Sequence, residues 1–154
     1  MNFNSLKRVH KYLLLLFILV GIFYSFLTQW VFSIFNIILK NPIENRSKYF
    51  QFFVGVIISP LIETLIFQYL IFILLRKIIK TKKLFNTAFL FAGTSVFSIA
   101  HSYSLYYIIA MIVPSFLLCY CFLYYSNEKT SLKYSFWFTT LFHASTNFLA
   151  FLCS

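Results

Sequence analysis

The sequence predicts an all-α, polytopic membrane bundle of about five transmembrane helices. Hydrophobic residues make up 61% of the chain and charged residues 10%, against about 25% charged in an ordinary soluble domain. Polar residues are gathered into short breaks, and the apolar runs between them each approach the ~20 residues needed to span hydrocarbon. Those runs are continuous, without the in-out alternation of a membrane barrel. The 154 residues suit a single membrane domain over 1–154.

The predicted helices cover roughly Tyr12–Phe35, Phe50–Leu75, Leu84–His101, Leu105–Ser126 and Lys133–Cys153. The first follows Lys7, Arg8 and Lys11 and begins with Leu13-Leu14-Leu15-Leu16, so it imitates a signal peptide. The apolar run continues past Trp30 without a small-x-small cleavage site, which predicts an uncleaved signal anchor. The second carries Pro60 and the fourth Pro114, both expected to kink their helices. Only Ser102-Tyr103-Ser104 separates the third from the fourth, which makes them an antiparallel hairpin. Cys119 and Cys121, two apart on one helix, point to different faces; with Cys153 they read as small apolar side chains, not as a metal or disulfide pattern.

The formal charge is +10, yet its distribution argues against nucleic acid. The basic residues cluster in the breaks, as the positive-inside rule requires, and there they attract anionic lipid headgroups. Three precede the first helix, and three (Lys40, Arg46, Lys48) follow it. Five (Arg76, Lys77, Lys80, Lys82, Lys83) lie in the second break, none in the third and two (Lys129, Lys133) in the fourth. With five spans the N-terminus is expected inside and the C-terminus outside, which puts ten of these charges inside and three outside.

Glu63 is the only carboxylate within an apolar segment; Glu44 and Glu128 lie in polar breaks. A carboxylate at mid-helix in hydrocarbon is costly and needs a partner or a task. Polar residues also form stripes at helical spacing: Gly55, Ser59 and Glu63; Thr87, Thr94, Ser98 and His101; Thr139, His143, Thr146 and Asn147. Packing these faces together would join one acid and two imidazoles. One geometric obstacle is that His101 lies about 25 Å along its helix, whereas Glu63 and His143 lie about 15–18 Å from their inner ends. An isolated intramembrane Glu fits structural, transport and catalytic roles alike, and His101 alone fits an interfacial histidine. The i,i+4 pair His143 and Asn147 aims two polar tips at one place.

Three segments together resemble the CPBP family, the CAAX proteases and bacteriocin-processing enzymes also called Abi proteins. Pro60-Leu61-Ile62-Glu63-Thr64-Leu65-Ile66-Phe67-Gln68 has the layout of the family's E-E-x-x-x-R motif. Phe97-Ser98-Ile99-Ala100-His101 matches F-x-x-x-H, and His143-Ala144-Ser145-Thr146-Asn147 matches H-x-x-x-N. The motif-bearing stretch runs from Ser59 to Phe148, within a CPBP-like core of about 50–153. Thr64 stands where the second glutamate is usual and Gln68 where arginine is usual; at i,i+4 they are expected to hydrogen-bond as a neutral pair.

The resemblance implies an intramembrane endopeptidase in a bacterial inner membrane, acting on a membrane-associated peptide or protein. Glu63 is then the candidate base, taking a proton from a water held between it and an imidazole of His101 or His143. Asn147 and one histidine are candidate donors to the oxyanion, where losing one donor costs ~3–4 kcal/mol. Glu63, His101 and His143 also form a two-His-one-carboxylate set of the kind that binds zinc. Glu63 would then be a ligand with no second acid left as base, so no cofactor is favoured. The alternatives are a non-catalytic scaffold in bacteriocin immunity or partner binding, and a small proton-coupled transporter, against which stands the lack of any internal repeat.

The charge asymmetry makes topology testable. A periplasm-active reporter fused after Ser154 is expected to be active and one fused after Lys83 silent; the reverse pattern would invert the assignment.

Overall fold

A computed structural model describes residues 3–37, 43, 45–127 and 131–152. Lys40, Glu44, Glu128, Lys129, Cys153 and Ser154 lie outside the described residues. Every described element is helical. In chain order they are α1 (Phe3–Ile34), α2 (Lys48–Ile78), α3 (Lys82–Ala100), α4 (Leu105–Asn127) and α5 (Leu132–Leu152). Four helical spans, Tyr12–Ile34 within α1 and those of α2, α3 and α4, are long and apolar enough to cross a membrane. The fifth, α5, has the length but a more polar sequence, and it turns Ser135, Thr139, Thr140 and His143 inward.

The helices pack as a layered bundle. α4 lies against α3, α5, α1 and α2, and α5 against α2, α4 and α1. Two aromatic clusters fill the interior. One gathers Phe17, Phe97, Leu118, Cys121, Tyr125 and Phe142; the other gathers Phe72, Phe85, Phe89, Cys119 and Phe122. Cys119 and Cys121 are both fully buried, one in each cluster, as their spacing predicts. Their sulfurs also accept polar contacts, from Gln68 Nε2 and from Thr139 Oγ1. Large apolar side chains such as Phe23, Phe26, Trp30 and Phe91 face outward, as lipid-facing surfaces require. Thr87 departs from the expected α3 stripe: it is exposed and donates to the Lys83 carbonyl one turn back. Gly93 sits where α3 meets α4 so closely that a Cβ would lie 2.6 Å from Cys119 Sγ; small residues permit such approaches in membrane bundles.

Both intramembrane prolines remove a backbone N–H, and each carbonyl left without a donor is served from another helix. In α4 the carbonyl that loses its i+4 donor to Pro114 is that of Ala110. Tyr24 of α1 donates its hydroxyl to that carbonyl at 3.0 Å. In α2 the response is a change of register. α-Helical turns at Lys48–Phe50, Ser59–Glu63 and Ile71–Ile78 alternate with π-helix over Gln51–Ile58 and Thr64–Leu70. The Ser59 N–H reaches back five residues to the Val54 carbonyl.

The Tyr24 contact yields a stability test. Tyr24→Phe is expected to cost about 1–3 kcal/mol, the penalty for an orphaned buried acceptor, read as a lower unfolding midpoint in detergent. In a Pro114→Ala background, where the backbone N–H returns, the same substitution is expected to cost less than half as much. Equal costs in both backgrounds would show that Ala110 does not need Tyr24.

Candidate active site

Glu63 sits at mid-length in α2, on the α-helical turn between the two π stretches. Its carboxylate Oε2 lies 3.5 Å from His143 Nε2 and 3.8 Å from His101 Nε2. The structure thus brings together the acid and both imidazoles, from α2, from α5 and from the end of α3. Counted along the observed helices, Glu63 lies about 22 Å from Ile78 and His101 about 28 Å from Lys82, so the axial offset is close to the one expected, and the side chains meet across it. The Ser59 side chain, one turn before Glu63 on the same face, interacts with its carboxyl group.

Each imidazole is held differently. His101 caps the end of α3, and its Nδ1 lies 2.8 Å from the Phe97 carbonyl. A carbonyl can only accept, so Nδ1 carries the proton. In the neutral ring Nε2 then presents a lone pair to Glu63. His143 is 5% exposed, and its Nδ1 is buried with no hydrogen-bond partner. An orphaned N–H is the rarer state for a buried group, which assigns the His143 proton to Nε2, facing Glu63. Two acceptors, Glu63 Oε2 and His101 Nε2, therefore face each other across 3.8 Å. The gap is beyond a direct hydrogen bond, and a group that donates two hydrogens fits beside the pair rather than between them.

Phe97 is the platform for both rings. It is fully buried, stacks on His101 at 4.6 Å and 19°, and lies 5.8 Å from His143. This gives the F-x-x-x-H spacing a physical reason: one helical turn puts the ring beneath the imidazole and the carbonyl within reach of Nδ1. Below it, Ser98 donates to Ser115 at 3.0 Å and ties α3 to α4.

Asn147 makes a contact of its own. Its Nδ2 donates to the Gly55 carbonyl of α2 at 2.8 Å, and none of its described hydrogen bonds reaches Glu63 or an imidazole. In the five-residue register of Gln51–Ile58, the donor for Gly55 would be the N–H of residue 60, which is proline. Asn147 replaces that missing donor and fixes α5, with His143 one turn earlier, against the helix that carries Glu63.

The expected Thr64–Gln68 hydrogen bond is absent. Both side chains are fully buried, but Thr64 Oγ1 and Gln68 Oε1 have no partner. Gln68 turns its Nε2 toward Cys119 Sγ of α4 at 4.0 Å. The contact with a neighbouring helix takes the donor that Thr64 was expected to receive.

Two tyrosines escaped the sequence reading. Tyr107 lies nearly parallel to His101, with centroids 6.4 Å apart at 5°; Tyr103 meets the same imidazole edge-on at 6.1 Å and packs on Tyr107 at 5.0 Å. Both interact electrostatically with Glu63. The signal was Ser104, which accepts from the Tyr107 N–H and so starts α4 with Tyr107 in its first turn, beside the short link from His101.

A zinc ion would have to be held by Glu63, His101 and His143. Among the described residues no group of three or more His, Cys, Asp or Glu side chains is arranged to hold a metal. His143 Nδ1 also lacks the outer hydrogen bond that nearly every metal-bound histidine makes.

The role of Asn147 can be separated from chemistry. Asn147→Ala is expected to cost about 1–3 kcal/mol of stability, and a Pro60→Ala background to recover most of that loss. Recovery of activity along with stability would identify Asn147 as a positioning residue. Activity still lost in a stable double variant would place its amide at the reacting atoms.

A family profile described as type II CAAX prenyl endopeptidase Rce1-like matches residues 45–149, a stretch that includes Glu63, His101, His143 and Asn147. Comparison with curated proteins and with solved structures gave no match.

Proposed function

The chain belongs to the Rce1-like family, the CPBP-type intramembrane proteases, and on that premise we propose that it hydrolyses a peptide bond of a membrane-associated substrate with a water activated by Glu63. The observation that carries the reading is the placement of one intramembrane carboxylate within 3.5 and 3.8 Å of two imidazole nitrogens.

In the proposed reaction a water sits beside Glu63 and His101, giving one hydrogen to each acceptor. Its lone pair is then directed at the scissile carbonyl. Glu63 removes the proton as the oxygen attacks, which is general-base catalysis. The tetrahedral intermediate collapses, the C–N bond breaks, and Glu63 returns the proton to the leaving amine. His143 Nε2–H holds the Glu63 carboxylate in place, and Phe97 and Asn147 fix the two imidazoles relative to it. No metal takes part, and the N-terminus faces the cytoplasm of a bacterial inner membrane. A prenylated peptide ending in a CAAX sequence is the substrate class that the family description suggests.

A scaffold reading is favoured by one observation, the buried Thr64 Oγ1 and Gln68 Oε1 without hydrogen-bond partners where the family carries a Glu and an Arg. Glu63→Gln separates the two. It is expected to reduce kcat at least 10³-fold on an internally quenched prenylated CAAX peptide, with the unfolding midpoint within a few degrees of wild type. Purified protein is expected to hold no stoichiometric zinc and to keep its turnover after dialysis against a chelator. Unchanged turnover in Glu63→Gln would remove the base. One zinc per chain, lost in His101→Ala and His143→Ala, would make Glu63 a ligand.

A further inference from the structure

Beside Glu63 the bundle buries a second set of polar groups that the proposed chemistry does not use. Thr64 and Gln68 of α2 are fully buried, and Thr64 Oγ1 and Gln68 Oε1 have no hydrogen-bond partner. Thr94 of α3 also buries its Oγ1 without a partner. These groups gather at one junction. Gln68 Nε2 reaches Cys119 Sγ of α4 only at 4.0 Å, and Thr94 approaches the same thiol without completing a hydrogen bond. At Gly93, the residue before Thr94, an added Cβ would lie 2.6 Å from that sulfur and 3.5 Å from the Phe67 carbonyl. The three helices α2, α3 and α4 therefore converge around Cys119. Thr64 lies one turn before Gln68 in α2, buried as completely.

Buried polar atoms without partners are rare in folded interiors, and lipid around a bundle supplies none from outside. We infer that one ordered water is bound at the junction of α2, α3 and α4, held by Thr64 Oγ1, Gln68 Oε1 and Thr94 Oγ1 beside the Cys119 thiol. A buried water makes two to four hydrogen bonds, and the inventory here balances. The water donates one hydrogen to Gln68 Oε1, which can only accept, and the other to one threonine hydroxyl; it accepts from the second hydroxyl. Thr64 and Gln68 are shorter than the Glu and Arg usual at their positions, and the volume lost with the two exchanges exceeds the ~30 Å³ share of one water. A cation would find only neutral oxygens, with an amide N–H and a thiol for neighbours, so water is the ligand of matching chemistry. The site is a neutral joint of three helices. It stands independently of the endopeptidase reading.

Thr64→Val and Thr94→Val test it by the sign of their effect. A hydroxyl that is bare is better replaced by a methyl of the same shape, which raises the unfolding midpoint or leaves it unchanged. A hydroxyl that holds the water leaves the other two groups bare when it goes. Each single variant is therefore expected to lower the midpoint in detergent by about 2–6 °C. The double variant is expected to fall short of the sum, because both residues share one ligand. In ¹⁵N-labelled protein in nanodiscs, a cross-peak between bound water and the Gln68 side-chain amide is expected in the wild type and in Thr94→Ser, and is expected to vanish in the double valine variant. A raised or unchanged midpoint in either single variant, additive losses, or no such cross-peak in the wild type overturns the inference. If a valine variant does not fold, the wild-type cross-peak decides alone. A wild-type midpoint that rises when sodium replaces choline at equal ionic strength assigns the site to a cation and overturns the inference as well.

Discussion

Hydrocarbon offers no water to a backbone carbonyl that has lost its donor, and two prolines create that loss inside this bundle. The structure answers each with a side chain from a different helix: Tyr24 of α1 on the Ala110 carbonyl, and Asn147 of α5 on the Gly55 carbonyl. A kink alone would leave these acceptors bare. Because the donors come from other helices, each proline becomes an inter-helix clamp. The Pro60 clamp matters most for the site. It joins α5 to α2 two turns from Glu63, and so sets the height at which His143 meets the carboxylate. The π-helical register on both sides of the Ser59–Glu63 turn widens the helix where it must present one polar side chain inward. π segments often occur at functional sites, and here the register also decides which carbonyl Pro60 leaves unserved.

His101 reaches the same place by a different device. It lies at the terminus of its helix, where backbone geometry is less constrained, and its ring is fixed by Phe97 through both stacking and the carbonyl-to-Nδ1 hydrogen bond. One residue thus sets both the orientation and the tautomer of the imidazole. The same phenyl ring touches His143, so the separation of the two imidazoles is coupled to the packing of one buried aromatic. A substitution that shrinks Phe97 would loosen both contacts to Glu63 together.

The acid and the two histidines were legible because the background is so apolar. In a chain with one carboxylate among its spans, Glu63 stands out from composition alone, and the helical spacing of Ser59 and Asn147 marks the faces that meet. The helix count was legible for the same reason, apart from the greater polarity of α5, which follows from the stripe that faces the site. What the sequence hid depends on hydrogen-bond register. That Asn147 serves Gly55 follows only once α2 is known to run with five-residue bonds before Pro60. That Gln68 turns to Cys119 depends on how closely α4 approaches, which Gly93 permits. Tyr103 and Tyr107 meet His101 only because the short link brings them there.

The departures at Thr64 and Gln68 bear on what the bundle can tolerate. A buried Glu–Arg pair must offset several kcal/mol of desolvation per ion, and it does so only when both partners are well placed. A neutral threonine and glutamine avoid that cost, and leaving one hydroxyl and one amide oxygen unpaired costs about 1–3 kcal/mol each. Neither residue makes a described contact with Glu63, His101 or His143. The meeting of those three rests on Phe97, on Asn147 and on the turn between the π stretches, all of which stand outside the altered pair. Glu63 is thus the one carboxylate that faces the two imidazoles, and the contacts that bring the three together do not run through Thr64 or Gln68.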